Sequence, residues 1–132
     1  MPILNVKISA APSPELVTAV SELLLDLTTR ILHKKRELTA IAIDFIPPEH
    51  WVVGGQTLAK QRKRSVYFDI KIVDGTNTKD EKAAYVAAAF DALSRLLADL
   101  HEESYIYIQD VRPDAYGYGG ETQEFRCITA RI

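Results

Sequence analysis

Two stretches of this chain alternate apolar and polar positions with the period of a half-buried strand. One is Ile3–Ser9. The other is Ser65–Val73, where Val66, Phe68, Ile70 and Ile72 recur at every second residue. After each comes a turn, Ala10-Ala11-Pro12 or Asp74-Gly75-Thr76-Asn77, and then a helical signal. Ser13 before Pro14 reads as an N-cap with proline at the first helical position, where its missing N–H is harmless. Thr78-x-x-Glu81 reads as a capping box. Leu16, Val20, Leu23, Leu24, Leu27 and Ile31 then form one apolar stripe, and Val86, Ala89, Phe90, Leu93, Leu97 and Leu100 form a second. Further strands are predicted over Thr39–Ile46 and Ser104–Val111. Both end in proline and glycine clusters, at Pro47-Pro48 and Gly54-Gly55, and at Pro113 and Gly117–Gly120.

The order of these signals is written twice. A shift of 65 positions aligns Leu25–Thr57 with Phe90–Thr122 and leaves ten identities, among them Asp26/Asp91, Arg30/Arg95, Pro48/Pro113, Gly54/Gly119, Gly55/Gly120 and Thr57/Thr122. The chain reads as one domain, 1–132, made of two repeats at about 2–62 and 65–132. Strand–helix–strand implies a parallel pair with a right-handed crossover. Two such units give an α+β fold: a four-stranded sheet with two helices on one face. The opposite face, read as rich in apolar and aromatic side chains, then needs a cover, which association of subunits supplies.

Composition narrows the function classes. The 132 residues are 47% hydrophobic and 26% charged with a net charge of −2, the balance of a soluble globular domain and not of a nucleic-acid binder. The basic run Lys60–Arg64 reads as a solvated connector between the repeats. No apolar stretch approaches a membrane span, and Met1-Pro2-Ile3-Leu4-Asn5 lacks the pattern of a secretory signal, so a cytoplasmic location is expected. The single cysteine, Cys127, excludes an internal disulfide, and His33, His50 and His101 have no metal-like spacing. No phosphate loop, nucleophile elbow or dinucleotide fingerprint is present, and no cofactor or metal is expected.

Tyr116-Gly117-Tyr118-Gly119-Gly120, after a strand and a proline turn, resembles the aromatic-Gly-x-Gly-Gly segment near the end of 4-oxalocrotonate tautomerase. His50-Trp51-Val52-Val53-Gly54-Gly55 is a weaker copy in which the first glycine has become Val52. With repeats of the family's length and a proline after the initiator methionine, the chain resembles a fused tandem member of the tautomerase superfamily. The resemblance implies a homotrimer and a catalytic amino-terminal proline, tautomerase/MIF-like in fold. Removing Met1 would leave Pro2 as a secondary amine. A free α-amino group titrates at roughly 7.7–8.0, and an apolar pocket lowers it by disfavouring the charged form. Neutral Pro2 nitrogen can then take a proton from carbon beside a carbonyl and return it elsewhere, which is keto–enol tautomerisation of a small 2-keto or 2-hydroxydienoate acid. Ser65 and Val66, at the corresponding place in the second repeat, are internal and carry only amides.

The same resemblance distributes the remaining roles. The arginine positions of the short family members read Pro12 or Asn77, and Ala40 or Tyr105, so neither is kept. Tyr107 falls where the dehalogenase branch places a catalytic tyrosine, and Tyr105 where the migration inhibitory factor branch places a pocket tyrosine; a phenol hydrogen-bonds an enolate or orients water. Lys34 falls near that branch's pocket lysine and is the expected substrate cation, with Arg64 and Arg112 as further candidates. Trp51 and Tyr116 match the aromatic pocket residue. The dehalogenase's paired arginines would fall near Val73 and Thr76 and are absent. Two alternatives stay open at this point: a proline-dependent decarboxylase or hydratase/dehalogenase, and a trimeric scaffold without chemistry.

Overall fold

The computed structural model describes residues 2–130. In chain order the elements are β1 (Ile3–Ile8), α1 (Pro14–Arg30), β2 (Ala40–Phe45), β3 (Val52–Val53), β4 (Gln56–Thr57), α2 (Leu58–Gln61), β5 (Val66–Val73), α3 (Lys79–Leu96), β6 (Tyr105–Val111), β7 (Gly117–Tyr118), β8 (Glu121–Thr122) and α4 (Gln123–Ala130). The main sheet runs β2-β1-β5-β6. Each repeat contributes one parallel pair, β1 with β2 and β5 with β6, and the repeats meet through the antiparallel pair β1–β5. Leu4, Val6 and Ile8 of β1 and Val66, Phe68, Ile70 and Ile72 of β5 all point to the helix layer and are at most 1% exposed. They pack against Val20, Leu24 and Leu27 of α1 and Tyr85, Ala89 and Leu93 of α3. Burial of these aliphatic side chains, worth about 1.5–3 kcal/mol each, holds the two layers together.

The helix starts follow the local chemistry. Ser13 caps α1, its side-chain oxygen accepting from Leu16 N at 3.2 Å. Thr78 and Glu81 close the capping box of α3 from both directions, Glu81 N to Thr78 Oγ1 at 3.1 Å and Thr78 N to Glu81 Oε1 at 2.8 Å. The identities between repeats also acquire reasons. Asp26–Arg30 and Asp91–Arg95 are matching i,i+4 ion pairs. Thr57 and Thr122 each cap the short helix that follows them, accepting from Lys60 N and Phe125 N. Gly54-Gly55 and Gly119-Gly120 turn the β3–β4 and β7–β8 hairpins, and all four have φ between 61° and 84°. Two consecutive positive φ values define a type I′ turn, which side chains with a Cβ disfavour.

Two expectations are corrected. Val86 is 38% exposed, and Tyr85 takes its place in the core, so the inward row of α3 is Tyr85, Ala89, Leu93. The Tyr85 hydroxyl is satisfied by Thr28 Oγ1 at 2.8 Å, and its ring meets Phe68 edge-on at 6.2 Å. The sheet face away from the helices is also less apolar than its strands suggested. The outward positions are Ala40, Ala42 and Asp44 on β2, Ile3, Asn5 and Lys7 on β1, Tyr67, Asp69, Lys71 and Val73 on β5, and Tyr105, Tyr107, Gln109 and Val111 on β6. Aromatic rings and charges stand among the small and aliphatic side chains there. The basic connector begins in the last residues of α2 and is stitched to the second repeat by Arg64 N to Asp99 O at 3.0 Å and His101 N to Arg64 O at 2.7 Å.

Candidate active site

Pro2 lies at the entrance of β1, an inner strand of the sheet, and is buried. Its carbonyl accepts from Ala40 N at 3.1 Å, which ties it to the first residue of β2. On the other side Ile3 is in register with Lys71 near the end of β5, and Lys71 in turn with Gln109 of β6. This end of the sheet therefore carries, in one row, Ala40, Ile3, Lys71 and Gln109. Met1, whose removal the proline chemistry requires, lies outside the described residues.

Tyr116 closes over this row. It follows the turn Pro113–Ala115 and precedes β7. Its hydroxyl donates to the Lys71 carbonyl at 3.4 Å. Burial pushes its phenol up, against a smaller opposing effect from a hydrogen bond with the Ile3 backbone. The Tyr116 side chain thus sits on the peptide that follows Pro2 and stays protonated at neutral pH. Gly117 lets the β7–β8 hairpin that follows close tightly: a Cβ there would come within 2.0 Å of the Glu121 carbonyl oxygen.

Lys34 stands at the same end of the sheet, in the segment between α1 and β2. Its Nζ donates to Thr76 Oγ1 at 2.9 Å, and Thr76 Oγ1 donates to Val73 O at 2.6 Å. Asn77 Nδ2 reaches Leu32 O at 3.0 Å, and His33 Nε2 lies 3.2 Å from Glu81 Oε2. These contacts staple the end of the first helix to the loop that starts the second, and so fix where Lys34 points. Half-burial lowers the Lys34 ammonium pKa, while Glu81 and Asp110 pull it back up. The side chain lines a cavity of about 360 Å³ with Val73, Thr76, Pro113, Gln123 and Cys127. That volume suits a small organic acid.

The other expected residues fall elsewhere. Tyr107 and Tyr105, 51% and 57% exposed, point from β6 onto the open sheet face. Tyr107 is in register with Asp69, one row in from Ile3, and Tyr105 with Tyr67, two rows in. Trp51 lies with Tyr105 in a separate cavity at the far end of the sheet. Arg112 is engaged by Asp114 at 2.9 Å, and Arg64 belongs to the connector. Of the named residues, then, one chain gathers Pro2, Tyr116 and Lys34 at one end and Trp51 and Tyr105 at the other, with Tyr107 between. Sequence reasoning missed Lys71 and Gln109, which share the row of Ile3 next to Pro2; the signal available was outward parity on β5 and β6. Lys71 also forms an ion pair with Asp69 at 2.6 Å. Among the described residues no group of three or more His, Cys, Asp or Glu is arranged to hold a metal, and no helix is long and apolar enough to cross a membrane.

This arrangement defines a class: a tandem β-α-β chain whose first strand opens on a buried proline beneath an aromatic residue from the second repeat. Comparison with solved structures places the fold. The chain superimposes on Pt0534 inactivated by 2-oxo-3-pentynoate with a TM-score of 0.82 at 15% identity, covering 94% of this chain and 98% of that one. A fused 4-OT solved as a symmetric trimer matches with a TM-score of 0.78 at 18% identity, covering 92% and 96%. A macrophage migration inhibitory factor homologue from Prochlorococcus marinus matches with 0.73 at 18%, covering 91% and 97%. The fold is the one that these fused 4-OT and macrophage migration inhibitory factor structures share. No family model matches the sequence, and no curated protein matches it.

Proposed function

We propose that the protein is a tautomerase that uses the amino-terminal nitrogen of Pro2 as its acid–base group on a small 2-keto or enol acid. The observation that carries this reading is the burial of Pro2 at the head of an inner strand, under Tyr116 and at the same end of the sheet as Lys34. With Met1 removed, Pro2 nitrogen is a secondary amine whose charged form an apolar setting disfavours. Neutral, it accepts the proton of the substrate's enol hydroxyl or α-carbon and delivers it to the carbon that becomes saturated, so the amine ends as it began. The Lys34 ammonium holds the substrate carboxylate, a charge-assisted hydrogen bond. The Tyr116 ring limits water around the proline, and Tyr107 supplies a phenol to the developing enolate from a neighbouring copy, whose open sheet face presents it. No cofactor is required.

The same reading makes the chain one unit of two repeats, 2–62 and 65–132, working as a cytoplasmic homotrimer. The trimeric fused 4-OT supports the assembly by likeness of fold. The inactivation of Pt0534 by 2-oxo-3-pentynoate supplies the test. A free proline amine adds to the alkyne of this reagent: the nitrogen forms a bond to the distal alkyne carbon, and its proton passes to the adjacent carbon. The expected result is one adduct per chain carrying the whole mass of the reagent, located by fragmentation on Pro2. A chain that stays unlabelled while its mass shows Pro2 at the terminus would refute the proposal.

A further inference from the structure

The backbone of the basic run between the repeats is pinned at every step. Arg62 N donates to Ala59 O at 3.3 Å and Lys63 N to Leu58 O at 3.2 Å, which closes the end of α2. Arg64 is bonded on both sides, to Asp99 O and from His101 N. Arg62 has φ 54° and Asp99 φ 62°, both in the left-handed region. A helix ends there most readily on glycine or asparagine, so an arginine in that place is held against a local backbone cost. Arg62, Lys63, Arg64 and Asp99 line one cavity of about 360 Å³, with Leu58 and Pro48 as apolar floor. It opens between the turn after β1, the helix α2 and the residues that follow α3. No outward position of the main sheet lines it, and it lies at the end of β1 away from Pro2.

Charge decides what fits. Three cations against one carboxylate leave the cavity with an excess of two positive charges. None of these four side chains has a hydrogen-bond or ion-pair partner among the described residues. Every other described arginine does: Arg30 pairs with Asp26, Arg36 with Glu22, Arg95 with Asp91, Arg112 with Asp114 and Arg126 with Glu121. Two unpaired guanidinium groups in one cavity are therefore the exception in a chain whose carboxylates outnumber its cations, 18 to 16. Nor does the repeat supply them, because at the shift of 65 positions Cys127 and Ile128 stand in the places of Arg62 and Lys63. Two guanidinium forks and an ammonium match a divalent oxyanion, whose oxygens accept from several donors at once. A carboxylate would neutralise only half of the excess. We infer that this cavity binds the phosphoryl group of a small phosphate ester, with Arg62, Lys63 and Arg64 as its donors and the Leu58–Pro48 floor under the ester's organic part.

Phenyl phosphate is titrated at fixed ionic strength into the full-length protein labelled with nitrogen-15, and the backbone N–H signals of Arg62, Lys63 and Arg64 are followed. Benzoate and inorganic phosphate are the comparison arms, one with a ring and a single charge, the other with no organic part. The expected result is a saturable shift of these signals with phenyl phosphate, a weaker one with inorganic phosphate and little response to benzoate. Lys63→Gln is expected to weaken phenyl phosphate about tenfold, the value of one charge-assisted hydrogen bond. Asp99→Asn, whose new side chain accepts the left-handed backbone, removes the opposing charge and is expected to tighten binding. Lys60→Gln takes the same charge from the same run outside the cavity and is expected to leave the titration unchanged. Signals that stay still into tens of millimolar phenyl phosphate overturn the inference. Equal losses in Lys60→Gln and Lys63→Gln overturn it too, since a diffuse positive field would then account for the binding. Benzoate binding as tightly as phenyl phosphate refutes the phosphoryl assignment, and inorganic phosphate binding as tightly refutes the ester.

Discussion

Tyr85→Phe removes one oxygen from the place where the two repeats lock together. Tyr85 of α3 and Thr28 of α1 are both 0% exposed and share a hydrogen bond of 2.8 Å. Phenylalanine keeps the ring and its edge contact with Phe68, so packing is preserved and the loss is the hydrogen bond. It strands the Thr28 hydroxyl inside the core, at a cost of about 1–3 kcal/mol. That hydroxyl can turn back to a carbonyl of its own helix, which puts the expected loss in the lower half of the range. Thr28→Val in the same background removes the orphan and should restore most of the stability. A second signature lies in pH. Burial pushes the Tyr85 phenol from 10.0 up to about 12, with the Thr28 bond opposing. A phenol raised on folding stabilises fully below its unfolded value, and that contribution is lost as pH climbs from 10 toward 12. The ceiling is about 3 kcal/mol, at 1.36 kcal/mol for each pH unit of displacement. Urea denaturation at fixed protomer concentration, near neutral pH and again between pH 10 and 12, measures both effects. A loss below about 0.5 kcal/mol, a double variant as unstable as the sum of the singles, or an unchanged alkaline slope in Tyr85→Phe would refute the reasoning.

Three further outcomes follow from the same geometry. Gly117→Val, which gives the second repeat the residue of the first, drives a side chain into the Glu121 backbone and should cost about 1–3 kcal/mol while displacing Tyr116; thermal melting beside the ketonisation rate measures both. Lys34→Met should raise KM for a 2-keto acid by about tenfold to a hundredfold and move kcat far less, because a carboxylate anchor acts on ground and transition states alike. Thr78→Ala removes one half of the capping box and should lower stability by about 1 kcal/mol in urea without altering turnover.

The repeat, the helix caps and the order of strands were legible because each is a local signal. Ser13-Pro14 and Thr78-x-x-Glu81 act within four residues of themselves. Alternation along Val66–Ile72 reports burial directly. Tyr85 was missed because the alanine-rich run Ala83–Ala89 leaves the phase of the apolar stripe undetermined, and because its burial depends on a polar partner, Thr28, 57 positions away. The hairpins escaped notice for another reason: two-residue strands are too short to alternate, so only their glycine turns showed. At the candidate site, Pro2 and Tyr116 are named from motif, whereas Lys71 and Gln109 join the row of Ile3, beside Pro2, only through strand register. The separation of Trp51 from Tyr116 is also a matter of topology. The antiparallel β1–β5 pair turns one repeat end for end against the other and sends equivalent residues to opposite ends of the sheet.

The central claim is that a proline nitrogen carries the chemistry, and ketonisation of phenylenolpyruvate by Pro2→Ala against the unaltered protein addresses it most directly, with both samples shown by intact mass to have lost Met1. Catalysis well above the uncatalysed rate in the parent, and a fall of at least about a hundredfold in kcat/KM with the oligomer intact, is the predicted result. Equal rates in the two proteins would contradict it.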